Sequence, residues 1–256
     1  MTFLLLSMVL VIATLSVVRP AMAGAPPLTL GAATGTHLVI LSGILASVGL
    51  GFGWAMAAGL FAALVLHELG LVFGHRLAGH DANRFRLLPV ARAGKVCETE
   101  PQSDVEALFV TLMGPALGIA PMVLAFALSD LFVGTAFQTL FGTFALSLGA
   151  VGFLSLLPVW PLPGGRAVQI LMRPGMPRVS ALPAASFYAG VIGLSWALEA
   201  PLLFLVSLIG ALAYALQPRL PEERPTLAKR QLVIGLGAYL ATFAAYFLGG
   251  WWVILL

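Results

Sequence analysis

The sequence predicts an all-α polytopic membrane protein with about eight transmembrane helices and a possible short surface β-hairpin. Its 256 residues are 60% hydrophobic and only 9% charged, whereas soluble domains carry roughly 25% charged residues. The mean hydropathy is +1.03, and long uncharged runs recur along the chain. So few charges argue against nucleic acid as a partner, and we expect membrane lipid to surround the protein.

Six apolar runs supply the predicted helices, because a bilayer core of about 30 Å needs roughly 20 residues per helix. They are 2–18, 38–78, 107–129, 131–157, 181–217 and 231–256. The run 38–78 is too long for one helix, and we expect it to break at the glycine cluster 49–53. The run 181–217 should divide at 199–201, because the proline there interrupts a helix interior.

The first run is predicted to be a separate N-terminal transmembrane helix, within residues 1–23, ahead of a single membrane domain over 24–256. Ala21-Met22-Ala23 has the small-x-small pattern of a cleavage site, so a removed signal peptide is the alternative. No basic residue precedes the run, and Arg19 follows it. This placement favours a retained helix whose N-terminus lies outside.

The longest polar connection covers 80–103, and we expect it to contain a short segment of regular structure at the membrane surface. Residues 84–90 alternate briefly between polar and apolar types, which is typical of a short strand or hairpin. Asp104 and Glu106 precede the next apolar run, as acidic residues do in the first turn of a helix.

The basic residues predict the orientation of the bundle. With eight spans, all 13 Lys and Arg residues fall on one side. They are Arg19 and the basic residues of the connections 76–104, 158–182 and 218–230. Cytoplasmic loops collect Lys and Arg, so we expect these loops to be cytoplasmic, in a membrane of the bacterial inner-membrane type.

Two ionisable residues lie where ionisable residues are costly. His67 and Glu68 fall within the apolar run, on the order of 15 Å from its basic end. Residues of this kind inside a membrane are candidates for function. The sequence His67-Glu68-Leu69-Gly70-Leu71 is one residue short of H-E-x-x-H, in which two imidazoles on one helix face bind zinc.

Two further motifs follow in order. Gly114-Pro115 lies in the apolar run 107–129. The run 131–157 is followed by Pro158-Val159-Trp160-Pro161-Leu162-Pro163-Gly164-Gly165-Arg166. With these motifs the chain resembles the site-2 protease family of intramembrane zinc metalloproteases. The resemblance covers about 38–175, which it implies to be a protease-like core, and the helices of 181–256 are additions to that core.

The resemblance implies zinc as the cofactor, with His67 as a ligand and Glu68 as the general base. The other two ligand positions correspond to Leu71 and Pro163, neither of which has a donor atom. His75 cannot substitute, because it lies about 12 Å along the helix from His67. We therefore expect that zinc is not bound and that Glu68 is vestigial.

The resemblance also implies a substrate groove, although a proline-rich cytoplasmic turn is the alternative for its second half. Asn residues of the family are replaced here by Gly118 and Ser155. Gly114 and Gly118 have the spacing of close helix packing. The predicted groove residues are Gly114, Pro115, Ser155, Pro158, Pro161, Gly164 and Gly165.

Three functions follow from these observations. The favoured one is a non-catalytic pseudoprotease that binds transmembrane segments of a client protein. The second is an active metalloprotease with an unusual ligand set. The third is a proton-coupled transporter that uses His67 and Glu68, although the chain shows no evident inverted repeat.

Overall fold

A computed structural model of the chain describes residues 2–23, 27–30, 35–82, 84–85, 97, 99–175, 181–215 and 224–251. The described residues form nine helices and two short strands. The helices are α1 (Thr2–Met22), α2 (Gly35–Phe52), α3 (Trp54–Leu77), α4 (Asp104–Leu131), α5 (Ala136–Leu156), α6 (Pro163–Met172), α7 (Ala181–Ala197), α8 (Pro201–Ala215) and α9 (Lys229–Gly250). The strands are β1 (Thr29–Leu30) and β2 (Arg84–Phe85).

Several of these helices have the length and composition of membrane spans. Four of them, α1, α3, α4 and α5, are long and apolar enough to cross a membrane. Shorter apolar helices cover Leu38–Phe52, Tyr188–Ala197 and Pro201–Ala215. The structure therefore indicates an integral membrane protein, while the total of eight spans stays a prediction.

The predicted breaks in the two long runs are confirmed. Gly53 separates α2 from α3 with φ +94°, a conformation that suits a residue without a Cβ. Within the second run, α7 ends at Ala197 and α8 begins at Pro201. The start of α4 at Asp104 is also confirmed, and Ser103 caps it by accepting the Glu106 N–H at 3.3 Å.

The predicted β-hairpin is not confirmed. Arg84–Phe85 is a strand, but its partner is Thr29–Leu30 and the pairing is parallel. A hairpin joins adjacent antiparallel strands, whereas parallel strands need a long crossover, which α2 and α3 provide here. The remainder of the predicted hairpin, 86–90, lies outside the described residues.

The centre of the bundle is α4, which packs against α1, α3, α5, α6 and α9. Helix α5 packs against α3, α4 and α9, so α9 lies over both α4 and α5. Helices α7 and α8 pack against each other, and α8 contacts the turn between α5 and α6 through Gly210. This arrangement places His67 of α3 and the C-terminal helix α9 against the same central pair of helices.

Several polar contacts join the helix ends at one end of the bundle. Arg76 Nη1, near the end of α3, donates to the carbonyl of Ala21 at the end of α1 over 3.3 Å. Asp104, at the start of α4, accepts hydrogen bonds from Arg173 and Arg224. These basic side chains therefore share one end of the bundle, and their predicted cytoplasmic side stays a prediction.

Candidate functional site

The site is built on a close crossing of α3 and α4. A Cβ added to Gly70 would lie 2.7 Å from the carbonyl oxygen of Gly114 and 2.9 Å from its Cα. Gly74, one turn further along α3, faces α4 in the same way, because its added Cβ would lie 3.2 Å from the Cα of Val110. Small residues therefore let the two backbones touch, as they do in packed membrane helices.

The crossing presents His67 and Leu71 to the same glycine. A Cβ added to Gly114 would lie 3.1 Å from Cε1 and Nε2 of His67 and 3.1 Å from Cδ2 of Leu71. Residues four apart lie on one helix face, so these two side chains occupy the two positions of an H-E-x-x-H pair. The second position presents a methyl group where a metal site requires a nitrogen.

A small cavity adjoins His67. It offers about 10 Å³ to the centres of water molecules, which is room for about one water. Both His67 and Glu68 are buried. The lining residues come from α3, α4, α5 and α9: Ala63, His67, Gly114, Pro115, Gly118, Leu148, Val151, Gly152 and Tyr246.

Tyr246 of α9 contributes the polar side chain of the cavity that the sequence did not predict. Its side chain is buried, and its hydroxyl donates a hydrogen bond of 2.6 Å to the carbonyl oxygen of Pro115. The ring lies against Gly152, where an added Cβ would overlap it, and the hydroxyl lies against Gly118. The signal available in the sequence was a tyrosine in the apolar second half of α9, because a buried tyrosine hydroxyl usually finds a hydrogen-bond partner.

The proline motif forms a turn that leads into α6, and tyrosines of α7 and α9 bond to the turn and to the end of α5. Pro163 is the first residue of α6, a position that suits proline because no helical N–H is needed there. A Cβ on Gly165 would lie 2.7 Å from the nitrogen of Trp160, so α6 packs directly on the turn. The Trp160 N–H donates to the hydroxyl of Tyr188 over 2.6 Å, and Tyr239 donates to the carbonyl of Leu156 over 2.8 Å.

The structure brings the predicted site residues together in two groups. His67, Gly114 and Pro115 line the cavity, whereas Gly164 and Gly165 pack against the backbone of the turn. No Cα atom of α3 lies within 8 Å of one in α6, the helix that begins with Pro163.

The other members of the predicted groove lie with the second group or within a helix. Pro158 and Pro161 belong to the turn itself, between α5 and α6. The hydroxyl of Ser155 donates to the carbonyl of Gly152 in its own helix over 2.8 Å. A single groove through all seven predicted residues stays a prediction.

The residues at this site do not fit a three-ligand zinc centre. The cavity has one imidazole, and its other side-chain donor, the Tyr246 hydroxyl, is bonded to Pro115. A catalytic zinc takes three protein ligands. Within the described parts of the chain, no group of three His, Cys, Asp or Glu side chains could hold a metal ion.

The two histidines that follow His67 lie at the end of the bundle. His80 contacts the carboxylate of Glu106 through Nε2, and its Nδ1 lies 3.1 Å from the hydroxyl of Thr99. The ring of His75 lies 5.7 Å from that of His80. These contacts join the end of α3 to the start of α4, away from the His67 cavity.

Comparison with known proteins adds one structural likeness. No protein-family model matches the sequence, and no curated protein matches it. The solved structure of a site-2 protease from Methanocaldococcus jannaschii matches 75% of this chain and 91% of that chain, with 19% identity and a TM-score of 0.47.

Proposed function

We propose that the protein is a non-catalytic membrane protein of the site-2 protease type, a pseudoprotease that binds transmembrane segments of a client protein. The observation that carries this proposal is the pair His67 and Leu71 on one face of α3, both against Gly114. The arrangement has the form of a metal-binding helix face, but only one of its two positions has a donor atom.

The remaining chemistry of the site supports binding rather than hydrolysis. Glu68, buried one residue after His67, no longer serves as a general base in this proposal. The cavity walls are mostly glycine and aliphatic side chains, which suit close contact with another helix.

Metal analysis of the purified full-length chain tests the loss of the zinc site. We expect far less than one zinc per chain, because a single imidazole does not make a catalytic zinc site. The His67→Ala variant should show the same low content. One zinc per chain that disappears in His67→Ala would instead indicate a metalloprotease with an unusual ligand set.

Photo-crosslinking in native membranes tests the binding of clients. We expect a photoreactive residue in place of Phe61, which is exposed on α3, or of Val151, which lines the cavity on α5, to be joined to a transmembrane segment of another protein, identified by mass spectrometry. The matched control is Val133, which is exposed in the turn between α4 and α5 and should give no such product. The absence of a product at both helix positions would contradict the proposed function.

A further inference from the structure

A second cavity, much larger than the one beside His67, lies along helix α1 as an open groove. It offers about 480 Å³ to the centres of water molecules, whereas one water needs only roughly 15 Å³. Its described lining residues recur three or four positions apart, so they share one face of α1. We define the α1 groove by these residues: Ile12, Leu15, Ser16, Arg19, Met22 and Ala23.

The α1 groove is about as long as one leaflet of a bilayer is thick. From Ile12 to Ala23 the helix rises about 16 Å, at about 1.5 Å per residue. Half of a hydrocarbon core of about 30 Å is about 15 Å. The large apolar side chains of the groove are exposed, with Ile12 at 60%, Leu15 at 58% and Met22 at 59%. The groove therefore has the length and the surface to hold a lipid acyl chain.

One cation lies near the end of this apolar strip. Arg19 is exposed in the last turn of α1. Its guanidinium makes no hydrogen bond or ion pair within the parts of the chain that the structure describes. Arg76 also reaches the end of α1, but its guanidinium donates to the carbonyls of Ala21 and Ala82. An arginine at the end of a membrane helix keeps its stem on apolar surface and its charge at the level of the lipid headgroups, where a guanidinium binds phosphate.

We propose that the α1 groove is a binding site for an anionic phospholipid. An acyl chain lies along Ile12, Leu15 and Met22, and the headgroup phosphate forms charge-assisted hydrogen bonds with Arg19. An anionic headgroup fits better than a zwitterionic one, because the cation of a zwitterionic headgroup competes with Arg19 for the phosphate. The described lining residues of this groove and of the His67 cavity do not overlap, so the lipid site does not depend on the proposed function.

Native mass spectrometry of the full-length protein tests the charge at this site. The protein in detergent micelles receives equal amounts of phosphatidylglycerol and phosphatidylcholine with identical acyl chains, and the retained lipids are counted. We expect more phosphatidylglycerol than phosphatidylcholine to be retained. Arg19→Gln should lower the ratio of the two about fivefold, which corresponds to about 1 kcal/mol, the usual attraction of one basic residue to anionic lipid. Arg230→Gln is the matched control, because Arg230 is exposed at the start of α9 outside the groove, and it should leave the ratio unchanged.

A second pair of variants tests the groove itself. Leu15→Trp places a larger side chain in the groove and should lower the retained phosphatidylglycerol at least about fivefold. Val17→Trp is the control, because Val17 is 59% exposed at a similar depth on α1 but does not line the groove. Substitutions at positions this exposed have small effects on stability, so we expect both variants to fold.

Three results would overturn the proposed site. The first is equal retention of the two lipids by the unsubstituted protein. The second is an equal loss in Arg19→Gln and Arg230→Gln, which would indicate a general attraction to the basic end of the bundle. The third is equal retention by Leu15→Trp and Val17→Trp. Glycerol 3-phosphate, which has the phosphate but no acyl chain, should not displace the retained lipid at the same concentration. Displacement would mean that Arg19 binds phosphate without the groove, and the lipid site would be wrong.

Discussion

The Gly70→Leu variant should lose about 3 kcal/mol of unfolding free energy, the upper end of the usual cost of over-packing a core. The reason is that Gly70 faces backbone rather than flexible side chains. Its added Cβ would lie 2.7 Å from the carbonyl oxygen and 2.9 Å from the Cα of Gly114. Neither atom can move unless α3 and α4 separate, and unfolding by sodium dodecyl sulfate, followed by circular dichroism, measures the loss.

Gly43→Leu on α2 is the control for this substitution. An added Cβ at Gly43 would have no neighbouring atom within 4 Å, so we expect a change within about 0.5 kcal/mol. Equal stability of the two variants would mean that the close crossing at Gly70 does not contribute to the fold. The crossing matters for the site because it brings His67 and Leu71 against Gly114.

The Asp104→Asn variant should also be strongly destabilised, by about 3 kcal/mol. The Asp104 carboxylate is completely buried, and its Oδ1 lies 2.5 Å from Nη1 of Arg173 and 2.8 Å from Nε of Arg224. Removal of the charge leaves two guanidinium groups in contact without their shared counter-ion. Their side chains are 26% and 17% exposed, so partial hydration keeps the loss at the lower end for a buried ion pair.

Asp130→Asn is the matched control for Asp104→Asn, because Asp130 is exposed near the other end of α4. Its substitution should change the unfolding free energy by less than about 0.5 kcal/mol. Hydrogen exchange gives a second readout, since Asp104 joins the start of α4 to the end of α6 and to the segment before α9. Amides of α6 should exchange faster in Asp104→Asn, and unchanged exchange would show that Asp104 does not hold α6.

Local signals predicted the breaks in the two longest apolar runs and the start of α4, but not the helix α6. The break at Gly53 and the start of α8 at Pro201 depend on the backbone preferences of one or two residues, which can be read without knowing their neighbours. The β pairing could not be predicted in this way. Arg84–Phe85 pairs with Thr29–Leu30, and two short segments more than 50 positions apart carry no local record of which partner they will meet.

The candidate site was predictable in part for the same reason. His67 was predicted because it is an ionisable residue in an apolar run, and Gly114 and Pro115 were implied by the family resemblance; all three lie together at one cavity. Tyr246 was not identified, because its role depends on the position of α9 over Gly118 and Gly152. Arg173 and Arg224, the ion-pair partners of Asp104, were likewise treated only as loop charges. These ion pairs join segments that are far apart in the sequence, so no residue spacing predicts them.

The amino-acid sequence by itself determined that this chain belongs in lipid, where its two longest apolar runs break, and that Leu71 and Pro163 have no donor atom to offer a metal. Those properties are set by the chemistry and backbone preferences of single residues and short runs. Only the tertiary structure decided that the face with His67 and Leu71 meets Gly114 and that Tyr246 closes the cavity next to them. Contacts of this kind form only when the helices pack, because they depend on which glycines let two helix backbones approach each other.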